Sequence, residues 1–177
     1  MAKAPQLDTN RLTLMPFSAD FLTQRYVAWL NDPAVVCYSE QRHRSHTVES
    51  CRRFVEAFVG GPNHLWAIIE KELGFGHIGN INTDVDTTNR TADIAILIGD
   101  KRAWSQGLGG EAWNAVVDYL LGPAGMRKVT AGAIAENKAM VAIMRASGMA
   151  EEGRRRNQML LGDRPVDVII TGRLADV

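Results

Sequence analysis

The chain has 177 residues, of which 46% are hydrophobic and 23% charged, and this ordinary globular composition excludes disordered and fibrous architectures. Its 20 basic and 20 acidic residues cancel, so the sequence has neither the basic footprint of a nucleic-acid-binding protein nor an acidic tail. No apolar run approaches the ~18 residues needed to span a membrane, and the first residues lack the apolar core of a signal peptide. Two cysteines without zinc-ligand spacing predict neither a disulfide framework nor a metal site. We therefore expect one cytoplasmic domain over residues 1–177, with no nucleic-acid or membrane partner.

The first part of the chain predicts a strand followed by two helices. Residues 11–17 alternate apolar and polar side chains, which is typical of a half-buried strand. Ser18 is a suitable cap for a helix over residues 19–30, and Pro33 would end it because the residue before a proline disfavours helical geometry. Thr47 is a suitable cap for a second helix over residues 48–59.

The remaining elements complete an α/β pattern. Three strand-like runs joined by turns predict an antiparallel meander, and the later elements alternate between helices and strands. In order they are strands 64–70, 76–85 and 91–98, helix 107–121, strand 128–133, helix 137–147, and strands 149–158 and 165–174. This order predicts the α/β fold class, with a single mixed, mostly antiparallel central sheet and helices on both faces.

The most informative segment is ILIGDKRAWSQGLGGEA, residues 96–112. A β-branched strand leads into a loop with three glycines, and a helix begins there. Backbone N–H groups can approach a phosphate closely where side chains are missing, and the helix dipole adds partial positive charge. The segment predicts an anion site, although a tight strand-to-helix turn would give the same pattern. It is neither a P-loop nor a dinucleotide fingerprint, because the spacing of both motifs is absent.

Three segments together resemble one family. They are WSQGLGGEA at residues 104–112, NKAMVAIMRASGM at residues 137–149, and TNRLTL at residues 9–14. In this order they are similar to the GCN5-related N-acetyltransferase (GNAT) superfamily, and more narrowly to its branch of ribosomal-protein N-terminal acetyltransferases and nucleotide-amino-sugar N-acetyltransferases. The resemblance implies a sheet that is splayed at its central strands and acetyl-CoA as the co-substrate.

The resemblance also assigns residues to the coenzyme. The backbone of the splayed strand at residues 91–98 would pair with the pantetheine arm, and the glycine loop after it would hold the pyrophosphate. The start of the helix predicted over residues 137–147 would orient the coenzyme. The residues so implied are Ile96, Leu97, Ile98, Gln106, Gly107, Leu108, Gly109, Gly110 and Asn137. Asn137 is also a favoured helix cap, and the two roles are compatible.

The catalytic residues are less well defined by the resemblance. Met144 and Met140 occupy positions where relatives often carry a tyrosine or serine that protonates the leaving thiolate, so the acid must come from elsewhere or from water. An alkylammonium with a pKa near ~10 must lose a proton before it attacks a thioester, which requires a base. Asp93 and His77 are the leading candidate bases, with Glu40 and His43 as alternatives. A solvated charge at Asp93 and a structural histidine at His77 are the competing interpretations.

The acceptor loop between the first two helices resembles that of acetyltransferases acting on nucleotide-linked amino sugars. Its candidate substrate-binding residues are Trp29, Tyr38, Glu40, Arg42 and His43. We expect direct transfer of an acetyl group to a small-molecule primary amine. The N-terminal amine of a ribosomal or other protein is the alternative acceptor, a non-catalytic coenzyme-A-binding module is the alternative of another class, and a homodimer is compatible with both.

Overall fold

The computed structural model describes residues 4–176. Residues 1–3, on which the expectation about targeting partly rests, and Val177, the end of the predicted domain, lie outside the described residues.

One eight-stranded sheet organises the molecule, with spatial order β1-β2-β3-β4-β5-β6-β8-β7. Its strands are β1 (Leu7–Asp8), β2 (Leu12–Pro16), β3 (Leu65–Glu70), β4 (Gly76–Asp86), β5 (Thr91–Ile98), β6 (Lys128–Ile134), β7 (Ala150–Leu161) and β8 (Arg164–Leu174). All neighbours are antiparallel except β5 and β6. The predicted meander of β3, β4 and β5 is confirmed.

In the part of the chain that the structure describes, four α-helices cover the two faces of the sheet. They are α1 (Gln24–Leu30), α2 (Val48–Glu56), α3 (Leu108–Leu121) and α4 (Lys138–Ala146). One buried cluster joins α3 and α4 to the sheet, around Trp113 and Met144. A second cluster, around Tyr26 and Trp29, joins α1 and α2 to the opposite face. The predicted mixed α/β architecture with helices on both faces is therefore confirmed, and Met144 is core, at 0% exposure.

The parallel pair β5 and β6 separates along its length. The two strands pair only at Thr91–Lys128, Ala92–Val129 and Asp93–Thr130. Beyond these residues β5 continues to pair with β4 and β6 with β8, so a wedge-shaped gap opens between β5 and β6. The gap confirms the splayed centre that the family resemblance implies.

The predicted helix over residues 19–30 is wrong in its first half. A 3₁₀ turn, Ala19–Phe21, comes first, and α1 begins only after Thr23, whose hydroxyl accepts the N–H of Tyr26 at 3.2 Å. Ser18 does not cap a helix, because its hydroxyl bonds Asp20 instead. A local side-chain bond of this kind competes with continuous helix. By contrast, Thr47 caps α2 as predicted, in a reciprocal arrangement with Ser50.

The remaining differences are small. α2 ends at Glu56 instead of residue 59, and β1 was not predicted because two residues carry no periodic pattern. Within residues 4–176, no helix is both long and apolar enough to cross a membrane.

Candidate active site

The N-terminus of α3 is open to a ligand. Thr23, Thr47 and Asn137 cap the other three α-helices of residues 4–176 through their side chains, whereas the N-cap residue of α3 is Gly107, which has no side chain. Gly107 has φ 77°, a left-handed conformation that glycine adopts without strain. The first N–H groups of a helix lack intrahelical partners. At α3 they stay available for an anion, and the helix dipole favours one there.

A side-chain network fixes this helix start against the sheet. Glu111, in the first turn of α3, accepts hydrogen bonds from the Thr9 hydroxyl at 2.6 Å and the Arg11 backbone N–H at 2.8 Å. The Arg11 guanidinium bonds the second oxygen of Glu111 at 2.7 Å and donates to the Gln106 carbonyl at 2.9 Å. Burial acts to raise the pKa of Glu111, but the hydrogen bonds from Thr9 and Arg11 outweigh it and hold that pKa below its usual value. The TNRL motif therefore anchors the glycine loop.

The free edge of β5 faces the gap. Gly99 donates its N–H to Ile78 of β4, and because C=O and N–H of a trans peptide point oppositely, the Ile98 carbonyl points into the gap. The Trp104 indole N–H satisfies that carbonyl at 2.9 Å. Residues two apart in a strand present their backbones to the same side. Ile96 therefore presents its N–H and C=O to the gap, two residues before Ile98, whose side chain lies beside Gly109 in the first turn of α3.

A cavity of about 330 Å³ lies on the other face of the sheet, between α1, α2, the loop that joins them and β4–β5. Its floor is formed by Ala95, Ile96 and Leu97, the stretch of β5 whose outer edge is unpaired. A group lying along the β5 edge and a group in this cavity would therefore meet at the same strand.

Two buried hydroxyl or thiol groups line this cavity. Tyr26 is 1% exposed, and burial, with a smaller contribution from Cys51, raises its pKa. Burial also raises the pKa of the Cys51 thiol, against a weaker opposing hydrogen bond from Ser50. Both groups therefore stay protonated at neutral pH. The sequence reasoning did not identify either residue, since each fits an apolar helix face.

The comparison with known families decides the identity of the fold. The model of the acetyltransferase (GNAT) domain matches residues 11–150, which is most of the chain. The chain belongs to the GNAT acetyltransferase family. No curated protein matches it by sequence.

Solved structures show the same fold at low identity. The chain is similar to a GNAT-family acetyltransferase from Bacillus anthracis, with TM-score 0.81, 20% identity, and coverage of 97% of this chain and 99% of the other. It is similar to RimL, a ribosomal L7/L12 alpha-N-protein acetyltransferase in complex with coenzyme A, with TM-score 0.84, 16% identity, and coverage of 97% and 99%. It is also similar to spermidine N-acetyltransferase from Vibrio cholerae in complex with coenzyme A and spermine, with TM-score 0.83, 17% identity, and coverage of 94% and 97%.

In this acetyltransferase Asp93 lies at the narrow end of the gap between β5 and β6. Its carboxylate accepts a hydrogen bond from the Thr130 hydroxyl at 2.8 Å, and Asp84 stands opposite on β4. Asp93 reaches solvent, yet the protein atoms around its carboxylate desolvate it and raise its pKa. Thr130 opposes that rise and Asp84 adds to it. Asp93 is two residues before Ala95, so the two side chains lie on the same face of the sheet, ~7 Å apart along β5.

His77 occupies a different environment in the acetyltransferase, apart from the cavity. Rings of Phe17, Phe21, Tyr26 and Trp29 pack around the imidazole, with centroids 5.0–6.2 Å away. Its Nε2 lies 2.9 Å from the backbone oxygen of Gly79. Burial lowers its pKa to about 4, so the ring is neutral at physiological pH. His77 does not line the cavity, although Tyr26, on which its ring stacks, does.

The structure also keeps Trp29 out of the cavity lining. Trp29 is 7% exposed, and its ring covers Gly99 so closely that a Cβ at that glycine would lie 2.1 Å from the indole. The predicted acceptor residue Trp29 is therefore a packing residue, and Gly99 is required by this contact.

The other predicted acceptor residues lie at the rim or turn away. Tyr38, Glu40 and His43 are exposed, and the cavity is lined instead by their neighbours Ser39, Gln41, Arg44, Ser45 and His46. Arg42 donates to the carbonyls of Ser39 at 2.9 Å and Leu160 at 3.0 Å and pairs with Glu40. It therefore ties this loop to β7 instead of facing the cavity.

The second helix that the family resemblance singled out is capped as expected. Asn137 accepts the Met140 N–H at 3.1 Å through its side-chain oxygen, and its amide nitrogen remains a donor. Within residues 4–176, no group of three or more His, Cys, Asp or Glu side chains is arranged to hold a metal ion.

Proposed function

We propose that this protein is an acetyl-CoA-dependent N-acetyltransferase that moves an acetyl group directly to the primary amine of a small molecule, in a ternary complex. The leading candidate acceptor is a nucleotide-linked amino sugar. The observation that carries the proposal is that two openings meet at one strand. The uncapped start of α3 and the free β5 edge lie on one side, and the cavity floor lies on the other.

The residues of the first opening fit coenzyme A. N–H groups of residues 106–110 would hold the pyrophosphate, and Ile96 would pair with an amide of the pantetheine arm. A Cβ at Gly109 would lie 3.4 Å from Ile98 and 3.6 Å from Ile143, so side chains at this position would fill the space where the arm enters. The Trp104 indole N–H occupies the carbonyl of Ile98, the final residue of β5, which leaves Ile96 as the pairing residue.

Direct transfer is favoured because the cavity lacks an activated nucleophile. Cys51 is the thiol that lines it, and burial raises the pKa of that thiol, so the thiolate needed for a covalent acetyl-enzyme is disfavoured. Attack by the amine itself then forms an oxyanion, and a free backbone N–H on the β5 edge would stabilise it.

Asp93 is the proposed base. The pKa of Asp93 is raised toward neutral pH, where a general base is most effective. Asp93 also lies at the narrow end of the same gap. The ammonium proton passes to Asp93, directly or through water. The amine then attacks the acetyl carbon, the C–S bond breaks, and the second amine proton leaves with the coenzyme A thiolate through water.

The N-terminal amine of a protein is the second candidate acceptor. It is favoured by the fold similarity to RimL, which covers 97% of this chain.

The test measures thiol release from acetyl-CoA with a panel of acceptors. The panel holds a nucleotide-linked amino sugar, its N-acetylated form as a blocked control, and a peptide with a free or acetylated N-terminus. We expect release with the free amino sugar, intersecting double-reciprocal plots, and full activity in Cys51→Ala. Parallel plots together with loss of activity in Cys51→Ala would show a covalent intermediate. Coenzyme A binding without release on any amine would indicate the non-catalytic module.

A further inference from the structure

The cavity proposed for the acceptor has an unusual charge pattern for an amine site. Among its described lining residues there is no aspartate or glutamate, and the permanently charged side chain is Arg44, at the exposed rim. A cationic acceptor would ordinarily be matched by carboxylates, because opposite charges favour each other across a binding surface.

Two buried polar atoms of residues that line this cavity lack hydrogen-bond partners. Within residues 4–176 three buried side-chain atoms have no hydrogen-bond partner, and two of them, Asn80 Oδ1 and His46 Nε2, belong to residues that line the cavity. The third, Glu136 Oε2, lies in the turn after β6. Asn80 is 6% exposed, so an unfilled acceptor there is costly unless a ligand donates to it.

Both residues are held in place by other parts of the fold. Asn80 lies within β4 in register with Leu97 of β5. His46 is clamped by the side chain of Asn31, which accepts the His46 N–H at 2.9 Å and donates to the His46 carbonyl at 2.9 Å. Both side chains are therefore held in a preformed arrangement, with their unpartnered atoms buried in the wall of the cavity, and this lowers the entropy cost of binding.

We infer that the acceptor is a small anionic monoamine, whose amino group donates to Asn80 Oδ1 and contacts His46 Nε2 while its anionic group pairs with Arg44. This inference rests on the proposed function and names the substrate class of that site. A primary ammonium brings three N–H donors, and Asn80 Oδ1 is a pure acceptor. A polyamine fits poorly, because its second ammonium would find no carboxylate in the lining and would meet the Arg44 guanidinium.

The experiment compares three C4 amines that differ only in terminal charge: 4-aminobutanoate, butylamine and 1,4-diaminobutane. Thiol release from acetyl-CoA gives kcat/KM for each. In the natural sequence we expect 4-aminobutanoate to exceed 1,4-diaminobutane by about tenfold, the size of two modest charge interactions at an exposed rim. Arg44→Glu should reverse this order. Arg52→Glu, an equal change on α2 outside the cavity lining, should leave it unchanged.

A second variant separates binding from folding. Asn80→Leu has similar volume and removes an acceptor that no protein group uses, so its Tm should not fall. It should lower kcat/KM for all three amines by about 10- to 100-fold, the effect of losing one hydrogen bond to a charged group, with the KM for acetyl-CoA unchanged. Asn114→Leu on the exposed side of α3 is the matched control.

The outcomes distinguish this inference from the proposal on which it rests. Turnover with equal rates for the three amines, or a preference for the diamine, overturns the inference and leaves the acetyltransferase activity intact. A fall in the Tm of Asn80→Leu with unchanged kcat/KM overturns the role of Asn80. Bound acetyl-CoA without turnover on any amine overturns the proposed function itself.

Discussion

The two sides of β5 present different kinds of binding group. On the α3 side the unpaired groups belong to the backbone. They are the helix N–H groups after Gly107, which the Arg11–Glu111 network holds in place, and the N–H and C=O of Ile96. On the cavity side they belong to side chains, Asn80 and His46, which come from a strand and a loop far apart in the chain. A backbone site needs only a glycine spacing and a helix start, whereas a side-chain site needs the right residues to converge. The first therefore leaves a clear mark on the sequence and the second does not.

The largest effect should come from placing a charge in the backbone site. Gly109→Asp would put a carboxylate at the start of α3 and lower affinity for coenzyme A by 100-fold or more, since like charges ~4 Å apart repel by several kcal/mol at the protein surface. Its stability should be kept, because acidic residues suit helix N-termini. Calorimetric titration measures the affinity, with Asn114→Asp, five residues further along α3, as the charge control. Unchanged affinity in a folded variant would place the phosphates elsewhere.

Asp93 tests whether chemistry takes place where the two sides meet. Asp93→Asn should lower kcat about 100-fold, the range for positioned proton transfer, while the two KM values stay similar. Because the pKa of Asp93 is raised in the folded protein, the protonated carboxyl group favours folding and the ionised carboxylate opposes it. The contribution of Asp93 to the free energy of unfolding is therefore lost as the pH rises through that pKa. The Tm of Asp93→Asn should therefore not fall. Near-normal kcat would remove Asp93 from the reaction.

The neighbouring carboxylate gives a finer test of the same base. Asp84 raises the pKa of Asp93, so Asp84→Asn should shift the rising limb of the pH–rate profile to lower pH. A profile that does not move would mean that the rising limb reports another group.

His77 should affect stability in acid and leave the chemistry unchanged. Its pKa is lowered from 6.5 to about 4, so between these two pH values the imidazole is protonated in the unfolded chain and neutral in the folded one. The free energy of unfolding therefore falls as the pH drops from 6.5 to about 4. The full effect is about 3 kcal/mol. His77→Phe should flatten this pH dependence in denaturant titrations and keep kcat within about twofold at neutral pH. A loss of kcat comparable to that of Asp93→Asn would restore His77 as the base.

Arg11 tests whether the backbone site depends on its anchor. Arg11→Met keeps the apolar stem and removes the bonds to Glu111 and Gln106, and we expect about tenfold weaker binding of coenzyme A, with the KM for the amine unchanged. Arg173→Met is the matched control, because Arg173 pairs with Asp118 further along the same helix. Equal effects of the two variants would show a general loss of stability instead of a local one.

The smallest effect should come from the rim of the side-chain site. Arg42→Ala removes the hydrogen bonds to Ser39 and Leu160 and should raise the KM for the amine by about threefold. The effect is small because a contact of this kind near the surface contributes at most about 1 kcal/mol. Steady-state kinetics with both substrates varied measures this. A change confined to the KM for acetyl-CoA would assign the loop to the coenzyme.

The sequence by itself determined the architecture and predicted the proposed coenzyme side. Strong period-two and helical patterns predicted nearly all elements, with the start of α1 as the clear error, and the motifs around Gly107 and Asn137 led to the GNAT family. These features could be predicted because each depends on residues close together in the chain: a glycine at a positive φ, a cap bonded three residues ahead, or an apolar face along one helix.

The tertiary structure alone decided which side chains line the cavity proposed for the acceptor. The loop at residues 38–46 offers many polar side chains, and the sequence favoured Arg42 and His43 over Arg44 and His46. A 3₁₀ helix at Glu40–His43 turns the loop so that Gln41 and Arg44, three residues apart, share the cavity side. That geometry is set from a distance, by the Asn31 clamp on His46 and the bond from Arg42 to Leu160. Short polar segments have no strong preference of their own, so contacts with distant parts of the fold choose which side chains face the cavity.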